Sequence, residues 1–159
     1  MSLSKHKSTE GATDDWITPK WVVKPLGKFD LDPCASQQQP WRCAQHNWTR
    51  RGLILPWKGR VWLNPPFNRY QRPRWMERMA EHNNGIMLIP AAMETKAFRT
   101  YVFGIASGIC ALKERPHFCY PNGTTAPFNS GATFLLVAYG FSNLVALQRS
   151  KLGTVLLEL

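Results

Sequence analysis

The sequence predicts an α/β fold: a mostly parallel sheet with helices on both faces. Three observations carry this. Short apolar runs suited to buried strands, "RVWLN", "GIMLIPA" and "ATFLLVAYG", alternate with segments of helical period. The last run is continuously apolar between Gly131 and Gly140, as a strand covered on both sides must be. And 159 residues at 44% hydrophobic can bury a real core in one domain. The expected organisation is a polar, non-periodic tail over 1–13 and a single domain over 14–159.

The elements follow in order. "WITPKWVVKPLG" reads as a short helix with Thr18 as its cap, Pro19 at its first position and Gly27 at its end. In "KFDLDPCAS", Phe29 to Asp32 is a brief strand that runs into a loop. "QQQPWRCAQHNWTRRG" reads as either a helical turn or irregular structure. "RVWLN" is the second strand, "RPRWMERMAEHNNG" a helix ending near Gly85, and "GIMLIPA" a buried strand. "ETKAFRTYVFGIASG" has Ala97, Tyr101, Val102 and Ile105 at helical spacing. "GICAL" and "HFCY" are short strand candidates, "ATFLLVAYG" is the buried strand, and "SNLVALQRS" is the last helix.

Charge narrows the function. The chain carries 20 Lys and Arg against 10 Asp and Glu, a formal net charge of +10, with a pI near 9.9. Such an excess favours a polyanionic partner, foremost nucleic acid. No apolar run reaches the roughly 18 residues of a membrane span, and the N-terminal stretch has no apolar leader. The expected location is therefore the cytoplasm. There Cys34, Cys43, Cys110 and Cys119 are expected as reduced thiols. Their C-x8-C spacings do not suit zinc, so no metal is expected. His46, His82 and His117 receive no catalytic role.

"GRVWLNPPF" is an unusual exit from a strand. Pro65 and Pro66 have no N–H and cannot extend a ladder. Asn64 and the proline carbonyls offer fixed acceptors, and Phe67 offers a flat face. That set suits a planar guest bearing an exocyclic amine. Acceptors on both amine hydrogens favour a tetrahedral nitrogen with a free lone pair. The alternative reading is a Pro-Pro loop that only ends a strand, with Phe67 in the core. "DLDPCAS" also follows a strand, and in open α/β sheets ligands bind beyond the strands' carboxyl ends.

Asn-Pro-Pro-Phe matches the catalytic motif of amino-group methyltransferases. "DDWITPKWV", "FDLDPCAS", "GLILPWKGRVWLNPPFNR", "WMERMAE" and "GIMLIPAAMETKAF", in that order, resemble the small phage-type, Dam-like N6-adenine DNA methyltransferases, from about Trp16 to Tyr139. The resemblance implies a small, truncated Rossmann-like fold that uses S-adenosylmethionine and methylates adenine N6 in DNA. It implies that Trp16, Thr18 and Pro19 line the cofactor pocket. Asp32 would face the cofactor's ammonium, with Pro33, Cys34, Ala35 and Ser36 along the adjoining loop. Asn64 and Pro65 would hold the amine, Pro66 would stiffen the corner, and Phe67 would stack on the base. The chain departs from the family at Arg51, where an Asp commonly precedes Gly-Leu, and no acidic residue lies between Asp32 and Glu77. Ribose recognition is therefore expected from amides such as Gln37 or Asn47.

Basic residues gather around the same corner. Arg42, Arg50, Arg51, Lys58, Arg60, Arg69, Arg72, Arg74 and Arg78 interleave with Trp41, Trp48, Trp57, Tyr70 and Trp75. Phosphate contacts are expected above all from Lys58, Arg60, Arg69, Arg72, Arg74 and Arg78. The alternative is a solvated face with the tryptophans in the core. Two further functional readings stay open: a DNA-binding protein on this fold without turnover, and an amino methyltransferase acting on RNA or protein.

Overall fold

Along the strand Gly85–Pro90, Ile86 and Leu88 face one core while Met87 and Ile89 face the other. This alternation is the period of two that a strand imposes. In the computed structural model, which describes residues 15–129 and 131–157, it divides the apolar residues between the two faces of one sheet. The tail expected over 1–13 lies outside the described residues.

Among the described residues the sheet has seven strands. They are β1 (Leu31–Asp32), β2 (His46–Asn47), β3 (Val61–Leu63), β4 (Gly85–Pro90), β5 (Gly108–Leu112), β6 (Phe134–Tyr139) and β7 (Gly153–Leu156), in spatial order β2-β1-β3-β4-β6-β5-β7. The pairs β1–β2, β1–β3 and β3–β4 are parallel. The pairs β4–β6, β5–β6 and β5–β7 are antiparallel and longer. The sheet is thus mixed, not mostly parallel as expected. The cause is the long 113–133 connection, which lets β6 enter between β4 and β5 in the opposite direction. Continuous burial of β6 reflects that central place. β7 escaped the sequence reading, because its alternating exposure is that of an edge strand.

Helices cover both faces, as expected. Trp75, Met76 and Met79 of α2 (Arg72–His82) and Phe98 of α3 (Lys96–Tyr101) pack with Leu63, Met87 and Val137. Val22 and Val23 of α1 (Lys20–Val23) and Leu147 of α4 (Phe141–Ser150) pack with Trp62, Leu88 and Leu136. A 3-10 turn, Lys24–Leu26, extends α1 and ends at Gly27, whose φ of +86° suits glycine. The N-cap of α1 is Pro19, one residue later than expected, so Thr18 does not cap the helix. The helix read through 94–108 stops at Tyr101, and turns follow it. "HFCY" forms no strand; Cys119 instead makes isolated bridges to Ile17 and Thr125. Among the described residues, no helix is long and apolar enough to cross a membrane.

Candidate active site

Parallel pairing of β1 with β3 brings the carboxyl ends of both strands to the same edge of the sheet. Asp32 ends one and Asn64 follows the other. The segment before α1 closes over them through three ties. Ile17 and Cys119 exchange backbone hydrogen bonds of 2.9 Å. The Asn64 Nδ2 donates to the Trp16 carbonyl at 2.8 Å. The Ser36 hydroxyl donates to Asp15 at 2.6 Å. Below the segment lies a cavity of about 400 Å³.

Most of the residues expected at the site line this cavity: Trp16, Thr18, Asp32, Cys34, Ala35, Ser36, Asn64, Pro65, Pro66 and Phe67. Two do not. Pro19 is occupied as the helix cap. Pro33 is buried, and its carbonyl lies against Gly52 so closely that a Cβ there would collide with it. Of the amides proposed for a ribose, Gln37 lines the cavity. Asn47 does not; its Nδ2 donates to the Ala44 carbonyl at 2.7 Å. Asp15, Ile17 and Trp62 also line the wall, as do Gln39, Cys43 and Thr49, which the sequence reading missed. Their only sequence signal was proximity to β1 and to the short, unrecognised β2.

The polar atoms are unevenly satisfied. Asp32 is 3% exposed, and its Oδ1 accepts the Cys34 N–H at 3.0 Å. Burial raises its pKa to about 7, against the opposing pull of that N–H and of the Gln39 side chain. A cation in the cavity would draw it to the carboxylate form. Burial, reinforced by Asp32, pushes the Cys34 and Cys43 thiols up to about 12, so neither is a thiolate nucleophile at neutral pH. The Asn64 Oδ1 and the Thr18 Oγ1 are buried without a hydrogen-bond partner among the described residues. Orphaned acceptors of this kind are uncommon and costly unless a ligand completes them.

Phe67 is both wall and core. Its ring centroid lies 5.2 Å from that of Phe118 and 5.0 Å from that of Phe134. It also borders a second hollow of about 260 Å³, together with Trp16, Phe118, Ala126 and the exposed Phe128. The two hollows share Trp16 and Phe67 as walls.

The basic residues separate into free and committed groups. Arg60 is committed: it donates to Asn143 Oδ1 at 2.6 Å and to the carbonyls of Leu26 and Lys28 at 2.8 Å each. Its guanidinium also covers Phe29 at 4.2 Å. Three of the five Arg60 N–H donors are thus engaged within the fold, which gives this residue a structural role whether or not it also meets phosphate. Arg78 is partly committed, to the Leu55 carbonyl and to Glu81. Arg72 donates to the Phe67 carbonyl at 3.3 Å. Arg69 stacks on exposed Tyr70, while Arg74 and Lys58 are exposed. Trp57 and Trp75 lie in the core and cannot stack on bases.

A family model described as DNA N-6-adenine-methyltransferase (Dam) matches residues 5–137. Comparison with the curated proteins and with solved structures returns no match.

Proposed function

The chain belongs to the DNA N-6-adenine-methyltransferase (Dam) family, and we propose that it takes the methyl group from S-adenosylmethionine and delivers it at the Asn64–Phe67 corner. One observation carries the site assignment. Asn64 is anchored through its Nδ2, which leaves its Oδ1 as a buried acceptor without a partner in the wall of a ligand-sized cavity.

The residues present fit the cofactor. A buried carboxylate poised near neutrality suits an ammonium, and the unpartnered Thr18 Oγ1 suits a polar ligand atom. Trp16, Thr18, Asp32, Cys34, Ala35 and Ser36 would hold it, with Pro19 and Pro33 shaping the backbone behind them. With no acidic residue between Asp32 and Glu77, Gln37 and Thr49 are the side chains for the ribose hydroxyls. Such use of the strands' carboxyl ends is what a truncated Rossmann-like fold would provide. When bound, S-adenosylmethionine supplies an electrophilic methyl on a sulfonium.

The chain's own task is to present the amine. Asn64 Oδ1 and the Pro65 carbonyl hold its hydrogens and favour a tetrahedral nitrogen. Pro66 removes a competing donor and fixes the turn. Phe67, backed by Phe118 and Phe134, offers a rigid face to the base, which enters through the aromatic hollow. Extruding that base from a duplex costs a few kcal/mol, and Arg69, Arg72 and Arg74 hold the opened strand. Rate then comes from positioning and preorganised polarity. Transfer of labelled methyl from the cofactor to unmethylated DNA, with nucleoside analysis, tests the reading. N6-methyladenine as the labelled product is expected; no labelled nucleoside would overturn it.

A further inference from the structure

A second cleft, of about 800 Å³, meets the cavity at Cys43, which lines both. Lys20, at the start of α1, Lys24, at the start of the 3-10 turn, Lys28, just past Gly27, and Arg42 all line it. All are exposed. Among the described residues none of these side chains has an ion-pair or hydrogen-bond partner; Lys20 only lies over the Trp41 ring at 5.0 Å. The one carboxylate in the cleft, Asp30, accepts the Arg60 backbone N–H at 2.7 Å.

This arrangement does not suit a small anion. Its four cations are all exposed, and their charges sit on long flexible stems. It suits a row of phosphates. Several exposed cations lining one cleft can meet the repeating charge of a nucleic-acid strand. Position supports the same occupant. Arg72 reaches the cavity's wall at Phe67, while the cleft reaches it at Cys43. Trp41 also ties the cleft to the cavity wall, because its Nε1–H donates to the Thr18 carbonyl at 3.2 Å.

We propose that the Lys20–Lys24–Lys28–Arg42 cleft is a second contact for the DNA backbone, so that the strand is held on both sides of the base-receiving corner. This rests on the DNA methyltransferase reading. The segment around Arg69–Arg74 alone would grip one side and leave the extruded base free to swing.

The test is a variant carrying Lys20→Gln, Lys24→Gln, Lys28→Gln and Arg42→Gln. Its log–log salt slope for DNA binding is expected to fall by about 0.9 for each lost contact, and its affinity at moderate salt by roughly tenfold or more. KM for DNA should rise while kcat at saturating DNA and calorimetric S-adenosylmethionine binding stay unchanged. Lys24→Glu alone, a single exposed change, should shift the salt slope in the same direction and guards against a folding defect in the multiple variant. Methylation with unaltered KM and salt slope in both variants would overturn the cleft and leave the enzyme reading intact. A wild-type protein that binds no DNA at any salt would remove the DNA reading, and the cleft with it.

Discussion

Asn64 holds the Trp16 carbonyl through its Nδ2 at 2.8 Å and keeps its Oδ1 buried and unpartnered. One side chain thereby fastens the segment over the cavity and aims its remaining acceptor at a guest. Asn64→Ala should therefore act twice. Methyl transfer should fall about 100- to 1,000-fold, as for loss of a preorganised polar contact. Stability should drop by only about 1 kcal/mol, for one hydrogen bond. Single-turnover methylation and thermal melting on the same sample separate the two effects. Near-normal transfer by a well-folded variant would show that the corner is architecture alone.

Phe67 packs against Phe118 and Phe134, so its truncation is not a pure binding defect. Phe67→Ala should lose stability toward the 3–5 kcal/mol of a core Phe→Ala change, less its exposed fraction. It should also weaken base capture by about 1–3 kcal/mol. Phe67→Tyr keeps the face and should retain both. Chemical denaturation together with KM for DNA distinguishes these outcomes; equal losses in Phe67→Tyr would exclude a stacking role.

Asp32 sets a pH dependence with a definite sign. Its folded pKa is near 7, against 3.8 as the ordinary value. From about pH 4 to 7 the folded chain therefore keeps a proton that the unfolded chain has released. Stability should fall as pH rises through that window, by about 1 kcal/mol per unit, and level off above it. Cofactor binding should run the other way: an ammonium needs the carboxylate, so affinity should weaken below about pH 7 by up to about tenfold per unit. Asp32→Asn should flatten both profiles and bind weakly throughout. Melting and calorimetry from pH 5 to 8 measure them, and a pH-independent wild type would refute the pairing.

Arg60 and Arg74 should behave as opposites despite equal charge. Arg60 joins the Leu26 and Lys28 carbonyls to Asn143, so Arg60→Gln should destabilise the fold by about 2–4 kcal/mol, given hydrogen bonds to a charged group. Arg74 is exposed on α2, so Arg74→Gln should leave melting unchanged and reduce the DNA salt slope by about 0.9. A stable Arg60→Gln protein with a reduced slope would reverse the assignment.

Local chemistry by itself determined much of this protein. Continuous burial of β6, the period of α2 and the donor-free turn after β3 are properties of short stretches, so they were legible in order along the chain. The resemblance carried by "WITP", "DLDPCAS" and "WLNPPF" likewise points to most of the residues in the cavity's wall. What only the tertiary structure decided depends on partners distant in sequence. Whether β6 runs parallel or antiparallel is set by its insertion between β4 and β5. Whether an arginine is free to meet phosphate is set by the carbonyls that reach it, and those of Arg60 come from Leu26 and Lys28. The division of labour within Asn64, Nδ2 to Trp16 and Oδ1 to a guest, needs a carbonyl brought from 48 residues away. A residue's type states which bonds it can make; only packing decides which of them the fold uses and which it leaves for a ligand.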